Sequence, residues 1–291
     1  MALLGQCVKV LTRANIKGFM GPMKSKDTIE GSQDQLRAAF AAAGAGREVL
    51  LKYFGNLSKV SEKEKAGLVS EADVESERII VEVLKKYFPD CQILGEESGL
   101  DQGRVKGKEL SDMLWIIDPL DGTTNYVYEF PIFCISIGLH IKGRPALGVI
   151  DVPMLNARYH AVRGGGAFLN GMPISVSKRL EVKEALLATG FNLNIGGDVE
   201  KQVETFKKLL LRCRGVRRAG AAAYDLCLVA QGVFDAFWEK NLSPWDTAAG
   251  ELLVREAGGI VTDYDGQDFS PDMKTILAGS PQLHKEILRI L

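Results

Sequence analysis

The sequence predicts an α+β protein in which sheets are covered by helices in stacked layers. Three observations support this prediction. Helix-like and strand-like segments alternate through the last third of the chain, short β-like runs follow two early helices, and no internal repeat or low-complexity linker divides the 291 residues. Because an apolar face of a sheet has to be buried against another element, alternating segments of this kind build layered domains.

The first half of the chain contains two predicted helices and four predicted strands. Ser32 is placed to cap the first helix, which runs to Tyr53 and stops at Gly55. A second helix over residues 73–88 ends at Pro89, because the residue before a proline is disfavoured in helical backbone. The β-like runs cover residues 92–94, 113–117, 134–140 and 146–152.

The glycine-rich segments that follow are predicted to be turns. Gly164, Gly165 and Gly166 lead into a strand-like run, whereas a phosphate-binding loop usually leads into a helix. Asn170-Gly171 predicts a hairpin. The remaining strands are predicted over residues 185–189, 215–218, 234–238 and 260–262, and the remaining helices over 199–212, 222–230, 246–257 and after Pro281.

Residues 1–31 are predicted to be an N-terminal extension that precedes the folded part. Residues 1–26 contain five basic residues and no acidic one, and apolar residues recur there at helical spacing. A targeting presequence is the alternative, since such segments are amphipathic and poor in acids, but no cleavage signature accompanies it.

Composition and charge exclude several classes of protein. Hydrophobic residues make up 46% of the chain and charged residues 25%, as in ordinary globular proteins. The net charge of -1 gives no electrostatic basis for nucleic acid or an anionic membrane as the main partner. The best apolar run, residues 130–139, is shorter than the roughly 18 residues that cross a bilayer. We therefore expect a soluble, cytoplasmic protein.

Cysteine and histidine give no sign of a zinc site or of a nucleophilic relay. The five cysteines are far apart and include no CxxC pair, which favours free thiols over a disulfide framework. The three histidines, His140, His160 and His284, lie at no metal-ligand spacing and near no candidate nucleophile. If the protein is an enzyme, carboxylates must carry its chemistry.

Residues 115–125, Trp-Ile-Ile-Asp-Pro-Leu-Asp-Gly-Thr-Thr-Asn, are the most informative acidic segment. An apolar strand delivers Asp118 at its end, and Asp121 follows so closely that a turn can point both carboxylates to one side. Gly122 and Thr123 would then begin a helix whose free N–H groups can hold a phosphate oxygen. Hard-metal ligands beside such a helix start favour metal-assisted phosphoryl chemistry. A turn in which both aspartates only cap backbone groups is the alternative.

Further acids follow the same pattern of strand ends and helix starts. Glu96 and Glu97 come shortly after the strand at residues 92–94, while Asp73 and Asp246 lie near the starts of helices. Taken singly, the two aspartates are typical helix caps and the two glutamates are typical surface acids. Together with the preceding segment, they favour a shared site.

The order of these motifs is similar to that of a known enzyme family. The chain resembles the inositol monophosphatase family over residues 32–291. The motifs that carry the resemblance are Gly95-Glu96-Glu97, Asp118-Pro-Leu-Asp121-Gly-Thr-Thr, and Pro244-Trp245-Asp246 followed by Glu256-Ala-Gly-Gly259.

The resemblance implies a fold, a cofactor and an assembly. The fold would be the αβαβα layered sandwich of the inositol monophosphatase and fructose-1,6-bisphosphatase type, with an N-terminal α+β half over residues 32–165 and a C-terminal α/β half over residues 166–291. The family implies two or three Mg²⁺ ions, sensitivity to lithium and a homodimer.

By matching position, the resemblance also implies roles for individual residues. The metal ligands would be Glu96, Asp118, the Leu120 carbonyl, Asp121 and Asp246. The residues that activate the attacking water would be Asp73, Thr123 and Glu96. The substrate would contact Asp121, Gly122, Thr123, Gly220, Ala222, Glu239 and Asp246, of which Gly122 and Thr123 receive the phosphate and Glu239 contacts the alcohol. Many relatives have Ser or Thr where Ala221 stands and His where Tyr128 stands, which bears on alcohol selectivity.

The implied function is hydrolysis of a small phosphorylated metabolite, with myo-inositol monophosphate as the first candidate. Fructose-1,6-bisphosphate, histidinol phosphate and 3′-phosphoadenosine 5′-phosphate are alternative substrates on the same fold. A non-catalytic interaction protein that kept the fold is an alternative of a different class, and the retention of every oxygen donor speaks against it. No nucleic acid or membrane is required as a partner.

Overall fold

This computed structural model describes residues 32–62, 68–99, 112–191 and 199–291. The helices are α1 (Ser32–Tyr53), α2 (Glu71–Tyr87), α3 (Thr123–Val127), α4 (Val199–Leu210), α5 (Ala222–Ala230), α6 (Pro244–Glu256) and α7 (Pro281–Leu288). The strands are β1 (Val60–Glu62), β2 (Leu68–Ser70), β3 (Gln92–Gly95), β4 (Met113–Asp121), β5 (Cys134–Ile141), β6 (Arg144–Val152), β7 (Ala157–Val162), β8 (Gly166–Leu169), β9 (Met172–Ile174), β10 (Leu186–Thr189), β11 (Gly215–Arg217), β12 (Ala236–Lys240), β13 (Ile260–Thr262) and β14 (Thr275–Gly279). The predicted extension, residues 1–31, lies outside the described residues.

The strands form two large sheets and one small one. The larger sheet has seven strands in the order β3-β4-β5-β6-β7-β8-β9, with β3 parallel to β4 and the other pairs antiparallel. The second has five strands in the order β11-β10-β12-β14-β13. Strand β10 is parallel to both of its neighbours, while β14 is antiparallel to β12 and β13. Strands β1 and β2 form a separate antiparallel pair.

The described residues form three hydrophobic cores between the layers. In the first, Leu36 of α1 and Ile80 of α2 pack with Trp115 on one face of the larger sheet. The second lies between the two sheets and contains α5 and α6. In the third, Leu209 of α4 and Leu283 of α7 pack on the outer face of the smaller sheet. The layers therefore follow the order helix, sheet, helix, sheet, helix, which confirms the predicted α+β layered fold.

Two glycines of the larger sheet determine how closely α6 approaches it. Gly138 of β5 and Gly148 of β6 are paired across the sheet. A Cβ atom at Gly148 would lie 2.6 Å from the carbonyl oxygen of Ala249, and one at Gly138 would lie 3.0 Å from the Cβ of Ala248. Without side chains at these positions, the backbone of α6 rests directly on the sheet. This close packing sets the position of the first turn of α6 and of Asp246 within it.

The turn between β8 and β9 forms as predicted, but it places the end of the larger sheet later in the chain than expected. The hairpin predicted at Asn170-Gly171 is confirmed, with φ angles of 48° and 80° that suit a two-residue turn. Because this hairpin folds β9 back onto β8, both strands continue the larger sheet. The boundary predicted near residue 165 between the N-terminal and C-terminal halves therefore falls inside that sheet.

Of the described helices, none is long and apolar enough to cross a membrane.

Candidate metal centre and active site

The two aspartates of the Asp-Pro-Leu-Asp segment lie on a bulge of β4. Asp118 pairs with Ser136 of β5 and Asp121 pairs with Cys134, so two residues of β4 lie opposite a single residue of β5. Strand β4 therefore runs on to Asp121 and does not end at residue 117 as predicted. The reason is that β5 continues alongside and supplies pairing partners beyond the proline.

Asp118 is buried, and one oxygen of its carboxylate accepts a hydrogen bond from the backbone of the bulge. The Leu120 N–H donates to Asp118 Oδ1 at 2.9 Å, which is the backbone-capping contact considered as the alternative. Burial raises the pKa of Asp118 well above its usual range, and the charges of neighbouring acids, that of Glu96 first, raise it further. A cation bound among these groups would offset the cost of burying them together.

Asp121 is anchored to the start of α5. The Ala222 N–H donates to Asp121 Oδ1 at 3.2 Å, and the Ala223 N–H donates to Oδ2 at 2.8 Å. The Cys134 thiol donates to Oδ2 at 3.5 Å. A carboxylate at a helix start satisfies amides that have no partner inside the helix. Burial nevertheless raises the pKa of Asp121 to about 6.

Asp246 is half-buried in the first turn of α6. The Ser243 N–H donates to Asp246 Oδ2 at 2.7 Å, so Asp246 takes part in capping the helix, as the alternative interpretation had it. Because Ser243 and not Asp246 is the N-cap, α6 begins at Pro244, earlier than predicted. Burial raises the pKa of Asp246 well above its usual range, and the charges of Asp121 and Glu96 add to the effect.

Among the described residues, Asp118, Asp121 and Asp246 form a group that can hold a metal ion, called the aspartate triad below. One carboxylate oxygen of each lies within 4.8 Å of the others. Within the described part of the chain, no Lys or Arg forms a salt bridge with any of the three. Carboxylate oxygens are the ligands that Mg²⁺ prefers, and buried carboxylates without a paired cation are costly. The donor set therefore fits Mg²⁺.

Two further predicted ligands adjoin the triad. Glu96 lies on the turn after β3, and its charge raises the pKa of all three triad members. The Leu120 carbonyl lies within the bulge and accepts a hydrogen bond from Thr123 Oγ1 at 3.1 Å. A carbonyl oxygen has two lone pairs, so this bond leaves one free for a second contact.

Asp73 and Thr123 form a pair on the α2 side of the site. Thr123 Oγ1 lies 2.9 Å from Asp73 Oδ1, and Asp73 Oδ2 accepts hydrogen bonds from Ser70 N–H at 2.8 Å and from Ser70 Oγ at 2.6 Å. Asp73 therefore caps α2 and contacts Thr123 at the same time. Since Ser70 is the N-cap, α2 begins at Glu71, slightly earlier than predicted. Burial raises the pKa of Asp73.

Gly122 allows the loop before α5 to pack against the bulge. Its φ is 95°, and a Cβ atom there would lie 3.1 Å from Ile132 O and 3.3 Å from Gly220 O. Asn125 fastens the same loop, because its Nδ2 donates to Ala219 O at 2.8 Å and to Ile132 O at 2.7 Å. The structure thus brings Gly122 and Gly220 together, while their contacts with phosphate and alcohol stay predictions. The same holds for Ala222, whose N–H is engaged by Asp121.

Glu239 lies near the end of β12, where the charges of Asp246 and Asp121 act on its carboxylate. It is half-buried, and its carboxylate occupies the space that a Cβ atom at Gly190 would need. Burial raises the pKa of Glu239 well above its usual range, with further contributions from the charges of Asp246, Asp225 and Asp121. A carboxylate near the triad but outside it is placed to meet the alcohol part of a substrate, and this role stays a prediction.

Comparison with known proteins identifies the family of the chain. The model of the inositol monophosphatase family matches residues 32–291. The chain belongs to the inositol monophosphatase family. This family member is 42% identical to a putative Nus factor SuhB of Neisseria meningitidis, over 88% of the chain and 97% of that relative. It is 41% identical to an inositol-1-monophosphatase of Synechocystis sp., over 87% of each protein. A solved IMPase structure from Thermotoga maritima matches with a TM-score of 0.80 and 33% identity, over 88% of this chain and 96% of that one.

Two residues of α2 in this family member, Glu77 and Ser76, belong to the site although no sequence motif pointed to them. Glu77 is 4% exposed, and its carboxylate accepts hydrogen bonds from the turn that follows Glu96. Ser76 Oγ donates to Pro119 O at 3.0 Å. A signal was available, because residues three and four positions after Asp73 lie on the same side of a helix.

A third residue that the sequence did not reveal is Asp225 on α5. It is 1% exposed, and among the described residues its Oδ1 has no hydrogen-bond partner. Burial raises the pKa of Asp225 well above its usual range, and the charge of Asp121 raises it further. An acid in an alanine-rich helix carries no local sign of such burial, so only the packing of α5 between the sheets shows it.

Proposed function

We propose that this protein is a Mg²⁺-dependent phosphomonoesterase and that myo-inositol monophosphate is its first candidate substrate. The observation that carries the proposal is the aspartate triad, with the Asp73–Thr123 pair on its α2 side. Phosphate-monoester hydrolysis is among the slowest uncatalysed reactions known, and carboxylates without a metal supply little of the required acceleration. Membership in a phosphatase family supports the same chemistry.

The residues of the site have separate tasks in this mechanism. Bound Mg²⁺, held by the triad, Glu96 and the Leu120 carbonyl, would lower the pKa of a water and neutralise phosphate charge. Thr123 shares its single hydroxyl proton between Asp73 Oδ1 at 2.9 Å and the Leu120 carbonyl at 3.1 Å, and its oxygen can still accept a hydrogen bond from the attacking water. Asp73, whose pKa is raised by burial, is placed to hold a proton passed through Thr123.

Substrate contacts follow from the same arrangement. The amides of Gly122 and Thr123 precede the first hydrogen bond of α3, which joins Tyr126 N–H to Gly122 O at 3.0 Å, so they can donate to phosphate oxygens. Glu239 can accept hydrogen bonds from the hydroxyls of a polyol. Both contacts favour a small phosphorylated alcohol.

Phosphate release by the purified protein tests the proposal. We expect turnover of inositol 1-phosphate to vanish in EDTA, to return with Mg²⁺, and to fall with millimolar Li⁺ or with Ca²⁺, whose looser coordination does not hold the octahedral geometry of Mg²⁺. Fructose-1,6-bisphosphate, histidinol phosphate and 3′-phosphoadenosine 5′-phosphate serve as the comparison panel. Full turnover in chelator would overturn the mechanism, and a higher kcat/KM on a panel member would replace inositol monophosphate as the substrate.

A binding role without turnover is the second candidate. The observation that favours it is the similarity to a relative named as a putative Nus factor, which the chain matches over nearly its whole length. Mg²⁺ binding without phosphate release from any panel substrate would support this role, whereas turnover that depends on the triad would count against it. In either role we propose a cytoplasmic homodimer, and sedimentation equilibrium should then give twice the mass of the chain.

A further inference from the structure

Glu77 is a buried carboxylate whose two oxygens are both used by one turn of the chain. The Glu97 N–H donates to Glu77 Oε2 at 2.8 Å, and the Ser98 N–H donates to Glu77 Oε1 at 2.6 Å. The same turn begins with Glu96, one of the predicted metal ligands. Hydrogen bonds to a charged acceptor are about twice as strong as neutral ones, so the pair fixes this turn to α2.

Gly95 leaves room for the carboxylate of Glu77 because it has no side chain. A Cβ atom at Gly95 would lie 2.5 Å from Glu77 Oε2 and 2.7 Å from its carboxyl carbon. Any larger residue would therefore displace the carboxylate from the two amides. Gly95 and Glu77 form one contact, although they are separated by most of α2 and by strand β3.

The same turn of α2 also contacts the other metal-binding segment. Ser76 Oγ donates to Pro119 O at 3.0 Å, and Asp73 accepts from Thr123 Oγ1 at 2.9 Å. Helix α2 thus holds the bulge of β4 through Ser76, the start of α3 through Asp73, and the turn after β3 through Glu77. The relative position of Glu96 and the triad depends on these contacts.

We propose that Glu77 is a positioning residue that fixes Glu96 for binding of Mg²⁺ at the aspartate triad. This inference rests on the proposed metal-dependent function. Groups that orient metal ligands without touching the metal change its affinity by about 10- to 100-fold when they are replaced. Glu77→Gln keeps the size of the side chain but removes the charge and presents an NH₂ group to one of the two amides, so the turn that carries Glu96 is released.

Calorimetric titration of Mg²⁺ into chelator-treated protein tests the inference directly. We expect Glu77→Gln to bind Mg²⁺ about 10- to 100-fold more weakly than the unaltered protein. Glu82→Gln is the matched control, since it removes the same charge from the exposed side of α2, where Glu82 pairs with Arg78 and Lys86, and it should leave the affinity unchanged. In metal-free protein, the amide hydrogens of Glu97 and Ser98 should exchange faster in Glu77→Gln than in Glu82→Gln.

Gly95→Ala provides an independent variant that breaks the same contact. It should weaken Mg²⁺ binding in the same way, and combining it with Glu77→Gln should add little, because both changes remove one interaction. If Glu77→Gln does not fold, Gly95→Ala carries the test. Unaltered Mg²⁺ affinity in both variants would overturn the inference and leave the proposed function intact. Failure of the unaltered protein to bind Mg²⁺ would overturn both.

Discussion

Replacement of Gly148 by Ala should displace α6 and with it the aspartate of its first turn. Gly148 lies on β6 beneath α6, and an added Cβ atom would lie 2.6 Å from Ala249 O and 3.1 Å from Ala249 Cα. Both of these atoms belong to the helix backbone, so no side-chain rotation can relieve the clash. Either the helix or the strand has to move.

The size of the movement follows from these distances. A contact between a methyl carbon and a carbonyl oxygen has to open from 2.6 Å to the ordinary range that begins at 3.4 Å. The required shift is therefore about 0.8 Å, and overpacking of this kind costs about 1–3 kcal/mol of folding free energy. Asp246 lies on the same rigid helix, and a misplacement near 1 Å at a catalytic group can lower the rate by about 10²-fold.

Urea denaturation and phosphate-release kinetics measure the two effects separately. We expect Gly148→Ala to lower the free energy of unfolding by about 1–3 kcal/mol and kcat/KM by up to about 10²-fold. Gly44→Ala is the matched control, since the nearest atom to a Cβ there is Arg158 Nη2 at 3.8 Å. That variant lies inside α1 and should stabilise the protein by about 1 kcal/mol without changing activity. A Gly148→Ala protein with unaltered stability and activity would refute the packing argument.

Three further variants test the site and the buried acids around it. Asp121→Asn leaves one acceptor oxygen where Asp121 has two, so kcat should fall at least about 10³-fold. The circular dichroism spectrum should stay unchanged. A near-normal kcat would show that Asp121 only forms the turn. Glu239→Gln should lower kcat/KM for inositol 1-phosphate by about 5- to 150-fold, equivalent to about 1–3 kcal/mol. It should change the hydrolysis of p-nitrophenyl phosphate much less. Equal losses on both substrates would mean that Glu239 supports the metal site or the fold. Burial raises the pKa of Glu251 from 4.5 to about 8, so the contribution of Glu251 to the free energy of unfolding should fall as pH rises from 4.5 to about 8, by up to about 1.4 kcal/mol per pH unit. The charged or titratable groups that face Glu251 are His140, Arg255 and Asp268. Because Gln cannot ionise, the stability advantage of Glu251→Gln should grow over this pH range in thermal melts, and an advantage that is constant with pH would contradict the assignment.

Local patterns in the sequence determined where the elements and the acids lie along the chain. Ser70 and Asp73, and likewise Ser243 and Asp246, form capping pairs three residues apart, so the starts of α2 and α6 were readable to within about two residues. The closeness of the two carboxylates in the Asp-Pro-Leu-Asp segment, and the helix start that follows it, were readable for the same reason, since helix starts depend on a few consecutive residues. The resemblance over residues 32–291 then supplied the assignment to a family.

Only the tertiary structure decided how these acids are held. Asp121 is fixed by amides of α5 that lie about a hundred positions further along the chain, and Glu77 is fixed by the turn after β3. Neither contact leaves a local pattern, because each depends on two segments that meet only when the layers pack. The bulge of β4 has the same origin, since it exists only against β5. Short-range hydrogen bonding and sterics can be read from neighbouring residues, whereas burial, mutual repulsion of carboxylates and close backbone approach are properties of the assembled layers.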